Sequence, residues 1–138
     1  MLNIIDTMIR NDNFSILADA INSADLEETL KKSGPFTLFA PEDDAFAKID
    51  PMIMTGLIAD TSSLNKILLY HIVIGRHWLV DLAGLIDMPS MEGSDIFIHS
   101  NHFEIKVNDA LITHADIECL NGVIHSIDSV IFPPVVEF

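Results

Sequence analysis

The chain has 138 residues, which is enough for one domain with a substantial core and too few for two ordinary domains. Hydrophobic residues make up 49% of the chain, which excludes intrinsic disorder, and no apolar run reaches the roughly 20 residues that a membrane-spanning helix needs. The formal net charge of -14, from 21 acidic and seven basic residues, opposes binding to nucleic acids and to anionic membranes. We therefore expect a soluble protein without membrane insertion.

Cys119 is the only cysteine, so the chain can form neither an intrachain disulfide nor a cysteine-based zinc site. A small buried thiol is its expected state, although a nucleophile beside a histidine is the alternative. The first residues carry no basic segment that leads into an apolar run, so the sequence shows no signal peptide. This favours either a cytoplasmic protein or one whose leader is not part of this chain.

The first part of the chain is predicted to be helical. Apolar residues at helical spacing indicate a short helix in residues 3–10 and a second helix in residues 14–21, with Asn13 as the N-cap of the second. Asp25 and Glu28 have the spacing of a capping box that would open a third helix.

A buried strand is expected next. Gly34 and Pro35 end the helical part, and the aromatic, β-branched and aliphatic residues 36–40 follow without interruption. The acidic residues after Pro41 suit the N-cap and first turn of a short helix.

More helices are predicted in the middle of the chain, at residues 52–59 and 64–70. The apolar run at residues 68–74 has no polar face, which indicates that its end is a strand covered on both sides and stopped by Gly75. Residues 80–85 predict one further helical turn.

From Ser94 onward, apolar and polar residues alternate with period two, which predicts a hairpin with its turn at Ser100 and Asn101. Phe103, Ile105 and Val107 are the apolar positions of its second strand. The alternation indicates that the residues from here to the end form strands. Helices first and a mostly antiparallel sheet afterwards define an α+β fold.

The last hairpin has the strongest turn signal. Short strands are expected at residues 110–112 and 115–120, and Asn121 with Gly122 predicts a type I′ turn. The return strand is predicted over residues 123–132, where two prolines end it.

Three blocks of sequence now stand in the order and spacing of known family motifs. They are Phe-Thr-Leu-Phe-Ala-Pro-Glu-Asp-Asp-Ala-Phe at 36–46, Leu-Tyr-His-Ile-Val at 69–73, and Asn-Gly-Val-Ile-His-Ser-Ile-Asp-Ser-Val-Ile-Phe-Pro-Pro at 121–134. Over nearly its whole length the chain resembles the fasciclin domain family of cell-adhesion modules. The resemblance implies a single fasciclin-like domain over residues 1–138, in which an antiparallel β-wedge carries helices packed on its flank.

The resemblance also implies a function. It indicates a non-enzymatic module for cell adhesion, or for interaction with a surface protein or polysaccharide, located outside the cell or at its surface. In animal members of the family a Tyr-His motif and an Asp-Ile pair are linked to integrin recognition. The matching positions are Tyr70 with His71 and Asp116 with Ile117, and these four are the predicted partner-binding residues.

Ordinary structural interpretations stand beside these predictions. The apolar flanks of Tyr70 and His71 favour a core pair whose polar atoms satisfy buried backbone groups, so that His71→Ala would chiefly lower the melting temperature. Period two places Asp116 on a strand with its carboxylate outward and with Ala115 and Ile117 inward.

We predict no catalytic, metal or cofactor site. His125, Ser126 and Asp128 have the composition of a hydrolase triad, but neighbours on a strand face opposite ways, so a buried histidine and a loop-bracing aspartate are expected instead. His99 and His102 flank a hairpin turn and could take zinc or copper, although solvated turn histidines are the ordinary interpretation of this pattern.

The sequence also allows a second function, that of a carrier. The chain could carry a small apolar ligand, such as a pigment or a lipid-like molecule, between its helices and its sheet. The residues expected to line such a pocket are Met52, Trp78, Met88 and Phe103. A pocket of several hundred cubic ångströms would favour the carrier over the adhesion module.

Overall fold

The computed structural model describes residues 1–134 and confirms the α+β fold class. The helices are α1 (Ile4–Ile9), α2 (Ser15–Ser23), α3 (Glu27–Lys31), α4 (Asp43–Phe46), α5 (Pro51–Ala59), α6 (Thr61–Leu69) and α7 (Leu79–Leu82), with a 3-10 helix (Asp12–Phe14) before α2. The strands are β1 (Phe36–Pro41), β2 (Ile72–Ile74), β3 (Asp87–Pro89), β4 (Asp95–Ser100), β5 (Ile105–Val107), β6 (Ala110–Cys119) and β7 (Gly122–Ile127). No helix within the described part is long and apolar enough to cross a bilayer.

The strands form one sheet in the order β2-β1-β7-β6-β5-β4-β3. Every neighbouring pair is antiparallel except β1 and β7, which run parallel. A parallel pair needs a long connection, and the whole middle of the chain provides it between β1 and β7. The sheet is therefore mostly antiparallel, as the alternating pattern predicts, with this one exception.

Strand β1 is buried on both faces, which confirms the interpretation of its uninterrupted apolar run. Leu38 and Ala40 pack into a first core cluster with helices α1, α2 and α3. Phe39 points to the opposite face and packs into a second cluster with Tyr70 and Ile127. Because successive strand side chains alternate between faces, a strand between two apolar clusters is apolar at nearly every position. The exception is Thr37, which is buried and donates a hydrogen bond to the Gly75 carbonyl oxygen.

Helix α2 is capped by a residue from another part of the chain, and the prediction of Asn13 as its N-cap was wrong. The helix begins at Ser15 without a side-chain cap from the residue before it. Instead the Asp43 carboxylate accepts hydrogen bonds from the Ile16 N–H at 2.8 Å and from the Ser15 hydroxyl at 2.7 Å. A negative group at this end of the helix also interacts favourably with the helix dipole.

We expect Asp43→Ala to lower the free energy of unfolding by about 1–2 kcal/mol, because it leaves the start of α2 without its cap. Asn13→Ala is the matched control, since the predicted cap accepts no hydrogen bond in the structure, and it is expected to change stability by less than about 0.5 kcal/mol. Urea unfolding of both variants measures the difference. Equal losses of stability in the two variants would show that Asn13 contributes as much to the start of α2 as Asp43 does.

Helix α3 also begins differently from the prediction of a capping box at Asp25 and Glu28. Asp25 has a φ of 60° and the helix begins at Glu27, with no side-chain cap at Leu26. The left-handed backbone at Asp25 turns the chain between α2 and α3, so this residue takes a turn position rather than the N-cap.

The last hairpin turns one residue earlier than predicted. Its turn consists of Leu120 and Asn121, whereas Gly122 already belongs to β7 and pairs with Cys119. The reason is space, because a Cβ atom at Gly122 would overlap the carbonyl group of Phe36 on the neighbouring strand. The glycine therefore serves the close approach of β7 to β1 and not the turn.

Asn121 fastens two helices to this hairpin. Its Oδ1 accepts a hydrogen bond from the Ile4 N–H at 2.9 Å, and its Nδ2 donates to the carbonyl oxygens of Leu30 at 2.6 Å and Lys32 at 2.7 Å. Its own carbonyl oxygen accepts from the Phe36 N–H at 3.0 Å. The side chain is buried, and it satisfies backbone groups at the start of α1 and the end of α3 that the helices cannot pair themselves.

Several strand predictions differ from the structure. The return strand β7 ends at Ile127, whereas it was predicted to continue to residue 132. Strand β2 is an edge strand with one exposed end, because Ile74 is 70% exposed. A further strand, β3, lies around Met88, between the predicted helical turn and the predicted hairpin, where no strand was expected. Strand β6 is continuous where two short strands were expected, and its register against β7 shifts twice, between Ile112 and His114 and between His114 and Ile117. The second shift shapes the site described next.

Candidate interaction surface

Tyr70 lies at the end of helix α6 and is buried. Its hydroxyl donates a hydrogen bond to the Asp95 carbonyl oxygen at 2.7 Å and accepts one from Asn108 Nδ2 at 3.0 Å. Asn108 in turn accepts a hydrogen bond from the Phe97 N–H at 3.0 Å, and its φ of 51° suits the turn between β5 and β6. Burial raises the pKa of the Tyr70 hydroxyl, so it stays neutral and joins the helix to this turn.

His71 follows directly and is 1% exposed. Its Nδ1 lies 2.7 Å from the Ile67 carbonyl oxygen, and its Nε2 lies 3.1 Å from the backbone nitrogen of Ile131. The carbonyl requires a proton on Nδ1 and the Ile131 N–H requires a free lone pair on Nε2, which fixes the neutral tautomer. Burial lowers the pKa of His71 to about 4.

Both residues of the Tyr-His pair thus satisfy buried groups within the protein, as the interpretation as a core pair predicts. Neither side chain can contact a partner in this conformation. Their predicted partner-binding role stays a prediction, and any such role would act through the elements that they hold in place.

Asp116 lies in the irregular part of β6, where the register shifts. Its φ is 58°, a left-handed conformation that aspartate tolerates better than most residues. Its N–H donates to His125 Nδ1 at 3.1 Å, and its carboxylate accepts from the Leu79 N–H at 2.8 Å. The side chain remains 45% exposed. The outward carboxylate was predicted correctly, whereas the bulge and the contact with α7 were not.

Ile117, the fourth predicted residue, is only partly buried. It packs against the first core cluster and pairs with Ile124 on β7. Ile117 therefore joins β6 to the first core cluster, and the backbone of Asp116 is bonded to His125. Of the predicted Asp-Ile pair, the Asp116 carboxylate is the part that remains open to a partner.

His125 supports the Asp116 bulge from inside. It is fully buried, stacks on Phe39 with ring centroids 5.9 Å apart, and lies with its Nε2 2.7 Å from the His77 carbonyl oxygen. Burial lowers its pKa, so the neutral ring donates from Nε2 and accepts the Asp116 N–H on Nδ1. The prediction of a buried, hydrogen-bonded histidine is confirmed.

The residues that resembled a hydrolase triad serve separate purposes. His125 bonds to backbone atoms of His77 and Asp116, and its neighbour Ser126 is buried on the adjacent strand position. The Asp128 carboxylate accepts from the Leu111 N–H at 2.8 Å, so it braces strand β6 and not the loop that was predicted. These contacts leave no hydrogen-bonded chain of the three groups to activate a nucleophile.

A surface depression of about 310 Å³ lies beside the bulge, and we call it the Phe103 depression. Phe103 forms part of it and is 96% exposed. Asn101 holds the loop in shape, because its Oδ1 accepts hydrogen bonds from the Phe103 N–H at 2.8 Å and the Glu104 N–H at 3.1 Å. The remaining lining residues are Leu79, His102, Ile105, Ile112, Thr113 and Ala115.

Sequence reasoning missed this loop, because Phe103 was assigned to the alternating pattern of the second hairpin strand. The available signal of a turn that continues beyond residue 101 was Asn101 itself, because its side-chain amide favours turns. The next two residues, His102 and Phe103, are not β-branched. An aromatic ring held outward on a hydrogen-bonded turn is typical of a contact residue.

The remaining candidates do not come together. His99 pairs with Lys106 on β5, and His102 lies in the Phe103 depression. Within residues 1–134 no three His, Cys, Asp or Glu side chains are grouped so that they could hold a metal ion. Cys119 is buried, and burial raises the pKa of its thiol.

The four residues expected to line a carrier pocket are dispersed. Met52 is 84% exposed on α5, whereas Met88 is buried against the second core cluster. Phe103 and Met88 contribute to two different open depressions of the surface. The arrangement does not form a pocket between the helices and the sheet from these side chains.

Comparison with known proteins identifies relatives along the whole chain. The Fasciclin domain family profile matches residues 12–133. An uncharacterized protein of Synechocystis sp., sll1735, is 42% identical over 132 residues, which are 95% of this chain and 98% of that protein. The transforming growth factor-beta-induced protein ig-h3 of Sus scrofa is 34% identical over 133 residues, but the chain spans only 19% of its length.

A solved structure has the same fold. It is a FAS1 domain pair from the insect cell adhesion molecule fasciclin I, which superposes with a TM-score of 0.82 at 21% sequence identity. The match covers 99% of this chain and 51% of that one, as expected if the chain corresponds to one domain of the pair.

Proposed function

Because this chain belongs to the fasciclin domain family, we propose that it is a non-enzymatic module for cell adhesion or for interaction with a protein or polysaccharide at the cell surface. The family includes cell-adhesion proteins, among them the insect molecule with the matching fold. The roles of the polar side chains support the proposal. His71, His125 and Tyr70 are buried, and each is hydrogen-bonded to a backbone carbonyl oxygen of the fold. The Phe103 ring and the Asp116 carboxylate, in contrast, are exposed and available for contact with a partner.

The proposed contact surface is the Phe103 depression together with the Asp116 carboxylate. Phe103 offers an aromatic anchor, and aromatic side chains carry much of the binding energy at protein interfaces. The Leu79 N–H and the buried His125 hold Asp116 in place, so binding would not have to order this charge. Tyr70 and His71 contribute by holding the β5–β6 turn and the segment at Ile131.

The charge of the chain narrows the class of partner. A net charge of -14 repels sulfated and other anionic polysaccharides, and it favours basic protein surfaces or neutral polysaccharides. An outward carboxylate beside an aromatic ring suits a Lys or Arg side chain, which can pair with the first and stack on the second.

We expect the protein to bind at least one member of a panel of immobilised lysozyme and cytochrome c, as basic proteins, and cellulose, as a neutral polysaccharide. Phe103→Ser is expected to weaken that binding at least about tenfold. Asp116→Asn is expected to weaken it as well, since it keeps the hydrogen-bond acceptor for Leu79 but removes the charge. Surface plasmon resonance measures the affinities.

The matched controls are Leu120→Ser, which removes an exposed apolar side chain from another loop, and Glu118→Gln, which removes a neighbouring exposed charge. Both are expected to bind within about twofold of the unchanged protein. Binding that survives Phe103→Ser and Asp116→Asn would place the contact elsewhere, and turnover of a panel member would contradict a non-enzymatic role.

A further inference from the structure

Strand β2 is an edge of the sheet, and half of its backbone groups point away from β1. The Phe39 N–H donates to the His71 carbonyl oxygen at 2.8 Å, and the Gly75 N–H donates to the Pro35 carbonyl oxygen at 2.8 Å. In an antiparallel pair the bonding residues alternate with residues whose N–H and C=O point the other way. The outward-pointing residues of β2 are therefore Ile72 and Ile74.

Strand β3 is the opposite edge in the strand order. The Ile98 N–H donates to the Ile86 carbonyl oxygen, and the Ser90 N–H donates to the Ser94 carbonyl oxygen. By the same alternation Asp87 and Pro89 point away from β4. Pro89 has no N–H, so β3 offers an incoming strand fewer hydrogen bonds than β2 does.

A depression of about 440 Å³ lies between these two edges, and we call it the edge groove. Its lining is mostly apolar and includes Val73, Ile74, His77, Leu85, Asp87 and Met88. Ile74 is exposed on β2, whereas Val73 and Met88 are buried in the second core cluster. The groove therefore places the outer edge of β2 beside an apolar floor.

The β2 edge already accepts bonds of the kind that another strand would make. The Met91 N–H donates to the Ile72 carbonyl oxygen at 2.7 Å. The Ile74 carbonyl oxygen lies 3.1 Å from Nε2 of the His77 ring, which is a side-chain contact that a backbone N–H could replace. At Ile72 the outer edge of β2 is thus already bonded to the chain itself. At Ile74 it is covered only by the partly exposed His77 ring.

The charge at the groove is negative. None of the described residues that line it is Lys or Arg, and Asp87 stands at its rim. The Asp87 carboxyl group reaches that of Asp95, and loss of solvation together with this neighbour raises the pKa of Asp95. Two adjacent carboxyl groups gain from a cation placed between them.

From these observations we propose that the edge groove binds an extended segment of a partner protein as an added strand on β2, with branched apolar side chains toward the groove and a Lys or Arg beside Asp87. Backbone bonds to Ile74 supply the register, and alternate side chains fill the apolar floor. This site is separate from the Phe103 depression and adds to the proposed function.

A second copy of the chain is a poorer occupant of the same edge. Each copy carries a net charge of -14, and two copies would bring the same acidic rim together. The carboxyl pair at Asp87 and Asp95 would then face another like charge, which costs binding energy, whereas a basic segment would neutralise it.

The test uses a fluorescein-labelled peptide, Lys-Val-Thr-Val-Lys-Val, and fluorescence anisotropy with the complete chain. We expect a dissociation constant of about 100 µM or tighter. A peptide with Glu in place of Lys, and one with alternate backbone nitrogens methylated, are each expected to bind at least about tenfold more weakly. The first loses the charge complementarity and the second loses the strand hydrogen bonds.

Ile74→Lys is expected to weaken binding of the unmodified peptide at least about tenfold, because it removes an apolar wall and adds a repelling charge. Ile58→Lys is the matched control: Ile58 is 61% exposed on α5, away from the sheet edge, and this variant is expected to bind within about twofold of the unchanged protein. Equal binding by the methylated peptide would overturn the proposal.

A second readout locates the peptide. With carbon-13 in the methionine methyl groups, the Met88 signal is expected to move on titration, whereas that of the exposed Met52 on α5 stays in place. Peptide binding without a shift at Met88 would overturn the proposed site. Sedimentation that shows a dimer abolished by Ile74→Lys would identify a second copy as the occupant and overturn it as well. Neither result involves Phe103, so the proposed function is tested independently.

Discussion

Gly122→Ala is expected to lower the free energy of unfolding by at least about 3 kcal/mol, or to prevent folding altogether. A Cβ atom at this position would overlap the Phe36 carbonyl oxygen and would lie 2.8 Å from Ile4 Cδ1. The backbone of β1 cannot move away, because it is paired with β2 on one side and with β7 on the other. Urea unfolding followed by circular dichroism measures the loss.

Gly56→Ala is the matched control for this prediction. Gly56 lies within helix α5, and a Cβ atom there would meet nothing within 4 Å. The same substitution should therefore stabilise the protein by about 0.5–1 kcal/mol, since alanine loses less backbone freedom in a helix than glycine. A mild loss at both positions would contradict the close approach of β7 to β1.

His71→Asn is expected to lower the free energy of unfolding by about 3 kcal/mol at pH 7, the second large effect. The shorter amide can donate to the Ile67 carbonyl oxygen in place of Nδ1, but it does not reach the Ile131 N–H. A buried donor is left without a partner, and the smaller side chain leaves a cavity. Thermal and urea unfolding of both proteins provide the comparison.

The pH dependence of this difference tests the buried neutral ring. The pKa of His71 is about 4 in the folded protein, below its ordinary value of 6.5, so between these values the unfolded chain binds a proton that the folded protein does not. The stability that His71 contributes is therefore complete above pH 6.5 and is lost as the pH falls toward 4, by up to about 3 kcal/mol.

We thus expect the gap between the unchanged protein and His71→Asn to be widest above pH 6.5 and to close toward pH 4. Other groups, including the buried His125 and the many carboxylates, titrate in both proteins and cancel in the difference. His99→Asn, at an exposed site on β4, is the control and should change stability at pH 7 by less than about 0.5 kcal/mol. A gap at His71 that stays constant with pH would mean that the ring is not held neutral.

The sequence predicted the burial of core residues correctly, but it predicted the conformation of the surface residues only in part. The burial of Tyr70 and His71 followed from their apolar flanks, and the outward carboxylate of Asp116 followed from period two. The bulge at Asp116 did not follow, because it depends on His125 in β7 and on the Leu79 N–H at the start of α7. Phe103 was placed on a strand, and only the turn around Asn101 directs it outward.

What the sequence determined by itself is the fold class and the family, because these rest on local patterns. The apolar run of β1 requires cover on both faces, and the three motif blocks are continuous stretches of chain. What only the tertiary structure decided is the set of polar partners. Asp43 caps a helix 27 residues away, and Asn121 bonds to Ile4 across 117 residues. Such contacts depend on where distant segments meet, and a pattern of neighbouring residues carries no record of that distance.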